Sequence, residues 1–174
     1  MPDHSTVARP IRWSGALLTF APFSAFVAIP WAAGLSLWPT ALMVGAWGFV
    51  LYRIFVVRFG LCRDHRRGVI ALKRGKFHDG LAAFERSEAK WAARPTLDRF
   101  RAVLLGSATP WRFHTLARYN RAYALSRLGR GEDSLELLNA VLDEDPTMTM
   151  AAELRDVLLA GSALHPEVGR AMTE

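Results

Sequence analysis

Between Arg12 and Arg53 the chain runs for 40 residues without an Asp, Glu, Lys or Arg. A helix crosses the hydrocarbon core of a bilayer with roughly 20 apolar residues, so this run is about twice what one span requires. Its middle, AIPWAAGLSLWPTA over residues 28–41, holds two prolines, two tryptophans and a glycine. Tryptophan favours the membrane–water boundary, and Gly34 and Pro39 bracket a short, uncharged LSLW. The chain is therefore expected to surface there and turn. The pattern predicts an N-terminal tail over 1–12 and a transmembrane helical hairpin over 13–58, with spans at about 13–33 and 39–58. A single span preceded by a re-entrant segment is the rival arrangement.

The flanks set the orientation. Arg9 and Arg12 precede the first span, and Arg53, Arg58, Arg63, Arg66 and Arg67 end and follow the second. Positive charge stays on the cytoplasmic side, so both termini are expected in the cytoplasm, with Trp13 and Tyr52 marking the near interface. The apolar part is too long for a secretory signal, and no small-x-small site is followed by a polar mature start. An Ala-, Leu- and Arg-rich composition points to a bacterium with a GC-rich genome, and the expected location is therefore a bacterial inner membrane. Small residues at helical spacing (Ser24, Ala28 and Ala32 in one span, Ala41 and Gly45 in the other) are expected to bring helices close. The absence of intramembrane charge argues against an ion path.

Beyond the hairpin the charge is segregated. Residues 60–130 carry 16 Lys/Arg against 5 Asp/Glu, and residues 131–174 carry 2 against 10. A basic block beside a membrane segment suits anionic head groups, so Arg53, Arg58, Arg63, Arg66 and Arg67 are the expected lipid contacts. No base-reading motif accompanies the basic residues, and no nucleic-acid partner is expected. Cys62 is the only cysteine, which rules out an internal disulfide.

The rest of the chain repeats itself. RGKFHDGLAAFERSEAKW at 74–91 aligns with LGRGEDSLELLNAVLDED at 128–145. Gly75 pairs with Gly129, Asp79 with Asp133, Leu81 with Leu135 and Phe84 with Leu138, each at an offset of 54. A fixed offset of this kind marks an internal structural repeat. Each copy reads as helix–turn–helix, with helices near 61–74 and 78–93, then near 110–128 and 132–143. Thr109–Pro110 looks like a helix start, N-cap followed by proline at the first helical position. Asp145–Pro146 repeats that signal for a last helix over 146–160, which Gly161 would end. No segment alternates like a strand, so the fold class is all-α.

These residues resemble the tetratricopeptide repeat family. Its pattern of small, large, small, large and proline at positions 8, 11, 20, 24 and 32 is met by Ala122, Leu125, Ser134, Leu138 and Pro146 in the copy at 115–148. The copy at 61–94 offers Gly68, Ala71, Gly80 and Phe84. It lacks the proline at position 32, and both copies carry arginine at position 7. The resemblance implies a small helical domain over 60–162, with an insert at 95–114, a capping helix at 146–160 and a flexible tail at 163–174. The insert shows Leu97, Phe100, Val103 and Leu104 at helical spacing, which predicts an extra helix.

The resemblance also implies a concave groove lined by the first helix of each copy. Its positions are Cys62, His65, Arg66, Val69, Leu72 and Lys73, then Leu116, Tyr119, Asn120, Tyr123, Ser126 and Arg127. Among these, His65, Arg66, Val69, Lys73, Tyr119, Asn120, Tyr123 and Arg127 form the expected partner-binding set, suited to an acidic peptide segment. The competing reading is a solvated basic face beside the bilayer. Cys62, Asp64 and His65 lie within one turn, but nothing completes a metal or nucleophile site around them. There is no phosphate loop and no catalytic signature, so neither catalytic residues, metal nor cofactor is expected. The sequence thus predicts a membrane-anchored protein–protein interaction scaffold, adaptor or assembly factor. The alternative is an accessory subunit docked by its spans in a larger membrane complex.

Overall fold

The computed structural model describes residues 20–34, 38–105, 107 and 109–164. Residues 1–19, 35–37 and 165–174 lie outside that set, and with them the tail at 1–12, the first third of the expected first span and the tip of the hairpin. All regular secondary structure among the described residues is helical.

Two apolar helices come first, α1 (Phe20–Ala32) and α2 (Trp38–Leu51), packed against each other. The stripe of small residues lies on one partner only. Ala41 and Gly45 of α2 are buried, whereas Ser24, Ala28 and Ala32 of α1 are exposed. The face of α1 that meets α2 is bulky instead. Phe23 and Phe26 set their rings edge-on to Phe49, at 5.6 and 6.0 Å, and Phe26 also meets Tyr52 at 5.4 Å. A methyl group on Gly45 would sit 2.7 Å from the Phe26 carbonyl oxygen and 2.8 Å from Val27 Cα. The hairpin therefore closes large against small, and only the α2 half of the expected small-residue contact exists.

Helix α2 does not stop at Leu51. It widens into a π-helical segment, Tyr52–Leu61, closed by the Cys62 amide bonding the Val57 carbonyl at 2.8 Å. Then follow α3 (Arg63–Lys73) and α4 (Phe77–Ala92), two short helices α5 (Pro95–Arg99) and α6 (Arg101–Leu105), then α7 (Phe113–Arg127), α8 (Gly131–Glu144) and α9 (Thr149–Leu164). Helices α3, α4, α7, α8 and α9 stack in sequence order, each on the next.

The 54-residue offset is written into the backbone. Helix α3 ends at Gly75 with φ 71°, and α7 ends at Gly129 with φ 78°, the left-handed conformation in which glycine commonly closes a helix. The Lys76 amide returns to the Ala71 carbonyl at 2.9 Å, and the Arg130 amide returns to Leu125 at 3.0 Å. The next helix then opens in the same way, with Gly80 bonding Lys76 and Ser134 bonding Arg130. Small residues occupy the crossing points. A methyl on Gly68 would lie 2.7 Å from the Phe84 ring, and one on Gly80 would lie 2.9 Å from Leu72 Cδ2. In the second hairpin Ala122 and Ser134 are fully buried, and the Ser134 hydroxyl donates to the Ala122 carbonyl at 2.8 Å.

Several expected boundaries need correction. Helix α7 begins at Phe113, not at Pro110, because its first amides are capped from elsewhere in the chain. The buried Asp98 carboxylate accepts from the Phe113 and His114 amides at 2.8 and 2.9 Å. The expected last helix starts at Thr149 and not at 146, since Asp145 folds back on Thr147 in a local turn. It also runs through Gly161 to Leu164. The insert forms two short helices in place of one.

Candidate functional site

The first candidate surface is the long apolar helix. Trp38–Leu61 is 24 residues and is the one helix among those described that is long and apolar enough to cross a membrane. At the α-helical rise it measures about 36 Å. Its large side chains face outward. Trp38, Trp47, Phe55 and Phe59 are each more than half exposed, and Met43 and Leu51 are similarly bare. Helix α1, at 13 residues, reaches only about 20 Å.

The basic residues expected at the lipid surface separate into two groups. Arg58, Arg63 and Arg67 are exposed, and Arg66 is half-buried. Arg53 is turned inward, with Nη1 donating to the Leu105 carbonyl of α6. Beside it the Tyr52 hydroxyl donates to the Leu104 carbonyl at 2.6 Å.

The expected groove residues do not line one open face. His65 is buried, with its ring edge-on to Phe84 at 5.3 Å and to Phe113 at 5.7 Å, and Nδ1 3.5 Å from the Ser87 hydroxyl. Burial drops its pKa to about 4, so it is neutral at physiological pH. Tyr119 is only 3 % exposed and belongs to the core shared with Leu116, Leu138 and Met148. Asn120 is 4 % exposed. Val69 and Tyr123, both partly buried, pack on the apolar cluster of Leu72 and Phe84. Only Lys73 and Arg127 are exposed, the latter with its guanidinium 5.3 Å over the Phe77 ring. The physical reason is the placement of α7, which is covered by α4 on one flank and α8 on another.

Two features escaped the sequence reading. One is an ion-pair network tying α4, α7 and α8 together. Glu88 accepts from Arg118 Nε at 3.0 Å and Arg121 Nη1 at 2.5 Å. Glu144 accepts from Thr115 at 3.0 Å and lies 3.6 Å from His114 Nδ1. Burial would raise the Glu88 carboxyl, but the hydrogen bonds from Arg121 and Arg118 outweigh it and hold it below its ordinary value. Partners 26 to 33 residues apart leave no local signal. The other is an open cleft of about 420 Å³ between α3 and α4, lined by four cations, Arg67, Arg74, Lys76 and Arg86, and one acid, Asp79, together with the apolar Ile70 and Ala83. Here a signal existed, because Arg67 and Arg74 stand seven residues apart on one helix face.

Burial pushes the Cys62 thiol up to about 11, so the reactive thiolate is scarce at neutral pH. Among the described residues no group of three His, Cys, Asp or Glu side chains could hold a metal ion. No protein-family model, curated protein or solved structure matches the chain.

Proposed function

We propose that the chain is a membrane-anchored interaction scaffold, adaptor or assembly factor that holds a tetratricopeptide-like helical stack at the cytoplasmic face of a bacterial inner membrane. The observation that carries this reading is the join between two unlike parts. A 24-residue apolar helix with bare aromatic side chains passes through the single turn residue Cys62 into a stack of helical hairpins with its own buried core. The apolar helix suits lipid, and the stack has the repeated helix pairs of an interaction module. In this reading helix α1 belongs to the second span, whose residues 13–19 lie outside the described set, and both ends of the hairpin share one side.

The partner surface shifts from the buried Tyr119 and Asn120 to exposed cations. Arg67, Arg74, Lys76 and Arg86 at the α3–α4 cleft present guanidinium and ammonium groups to an acidic protein segment. A second reading, an accessory subunit docked in a membrane complex, is favoured by Trp47. This side chain is 64 % exposed at mid-helix, away from the interfaces that tryptophan prefers.

Thiol labelling in intact cells tests the anchor, in a Cys62→Ala background. Ser36→Cys should react with an impermeant reagent, and Ser162→Cys should be protected. Labelling at Ser162 but not at Ser36 would refute the hairpin orientation. Reversing Arg67 and Arg74 to Glu should release co-purifying soluble proteins in mild detergent. If only membrane subunits co-purify, at fixed stoichiometry and unaffected by the reversal, the accessory-subunit reading replaces the scaffold.

A further inference from the structure

The first part of the insert, residues 95–105, exposes apolar side chains that neither the capping of α7 nor the join to the apolar helix uses. Phe100, Val103 and Leu104 form one helical turn, with the Val103 and Leu104 amides bonding the Phe100 carbonyl at 3.1 and 2.9 Å. All three side chains point outward, 50 %, 38 % and 42 % exposed. The turn is not a loose loop. Asp98 pins it to α7, and Arg101 bonds the Asp98, Thr109 and Pro110 carbonyls at 3.1, 2.9 and 2.7 Å. The apolar side chains are therefore held outward by a braced frame.

Helix α6 also packs against α1 of the apolar hairpin, and Tyr52 and Arg53 of the apolar helix donate to its last two carbonyls. Helix-end carbonyls lack donors of their own. In water the solvent would supply them, whereas within the hydrocarbon region the protein must. Exposed Arg94, Arg99 and Arg112 flank the turn, and such side chains reach back to head groups.

We propose that the 95–105 insert is a second membrane-contacting element, a wedge that sinks Phe100, Val103 and Leu104 into the head-group boundary of an anionic bilayer beside the span. The inference rests on the anchor reading. Its test reads the two separately.

Single cysteines in a Cys62→Ala background carry an environment-sensitive fluorophore at Phe100, Val103, Trp47 or Glu136, with the full chain reconstituted in phosphatidylcholine–phosphatidylglycerol vesicles. Probes at Phe100 and Val103 should be blue-shifted and should lose most of their emission to shallow-doxyl lipid. The probe at Trp47 should respond to deep-doxyl lipid, and the one at Glu136 to neither. If Trp47 is quenched while Phe100 and Val103 behave like Glu136, the wedge is wrong and the anchor stands. If Trp47 also behaves like Glu136, both are wrong. A blue shift at Val103 without lipid quenching would mean that protein covers the turn, which overturns the inference as well.

Discussion

At the scale of single residues, side-chain size was legible and burial of polar groups was not. Gly68, Gly80, Ala122 and Ser134 stand out because the repeat forces small side chains where helices cross, and the structure places all four at such crossings. His65 and Asn120 looked like groove residues because sequence position cannot reveal that neighbouring helices cover them. The burial of His65 has a measurable consequence. Unfolded, its ring takes a proton near pH 6.5; folded, it does so only near 4. The unfolded chain therefore binds more protons in that window, and stability falls as the pH drops from 6.5 toward 4. Asp64, lowered chiefly by its hydrogen bond from Lys90, starts from an ordinary value of 3.8 and Glu88 from 4.5, both in or below the lower end of that window, so its upper part isolates the histidine. Thermal unfolding of the full chain in detergent should show a clear loss between pH 7 and 5, and His65→Gln should flatten it. An unchanged pH slope in the variant would assign the loss to other groups.

At the scale of elements, local signals located the helices but misplaced ends that are fixed by distant residues. Gly75 and Gly129 close their helices where the sequence puts them, since the left-handed turn is a local event. Thr109–Pro110 reads as a start, yet α7 waits for Phe113, because the groups that satisfy its first amides sit 15 and 16 residues upstream on Asp98. That carboxylate is only 1 % exposed, so its removal is felt twice, at the helix end and in the insert. Asp98→Ala should cost about 0.5–2 kcal/mol, the range for lost N-caps, read as a lower denaturation midpoint. Amide exchange should accelerate over Pro95–Leu105 and at the start of α7 while α8 remains slow. Uniform acceleration across every helix would mean that Asp98 stabilises the fold generally and caps nothing in particular. The π-helical segment gave no advance sign, since YRIFVVRFGL has the composition of any span end.

At the scale of the whole molecule, the division into an apolar hairpin and a helical stack was legible, because composition changes abruptly at Arg53. The attachment between them was not, since it depends on Tyr52 and Arg53 reaching across 52 residues to the end of α6. Replacing both, Tyr52→Phe with Arg53→Met, removes the two donors and leaves an apolar helix intact. Spin labels on α6 and on α2 should then show a broadened distance distribution, while the separation between α4 and α8 stays narrow. A distribution as narrow as in the unaltered chain would show that packing alone holds the parts in register.

Those two hydrogen bonds also determine how the stack is carried. A domain joined to its anchor by one stretch of chain can swivel and nod, and its ends sweep a wide cone. Here the join at Cys62 and the clamp at Leu104–Leu105 act as two bolts in a bracket, which removes rotation about the long axis of the anchor. The heading of every surface on the stack, measured around the long axis of the apolar helix, is set by that helix. A pull on α9 would therefore reach the apolar helix as torque and not be lost in a swivelling joint.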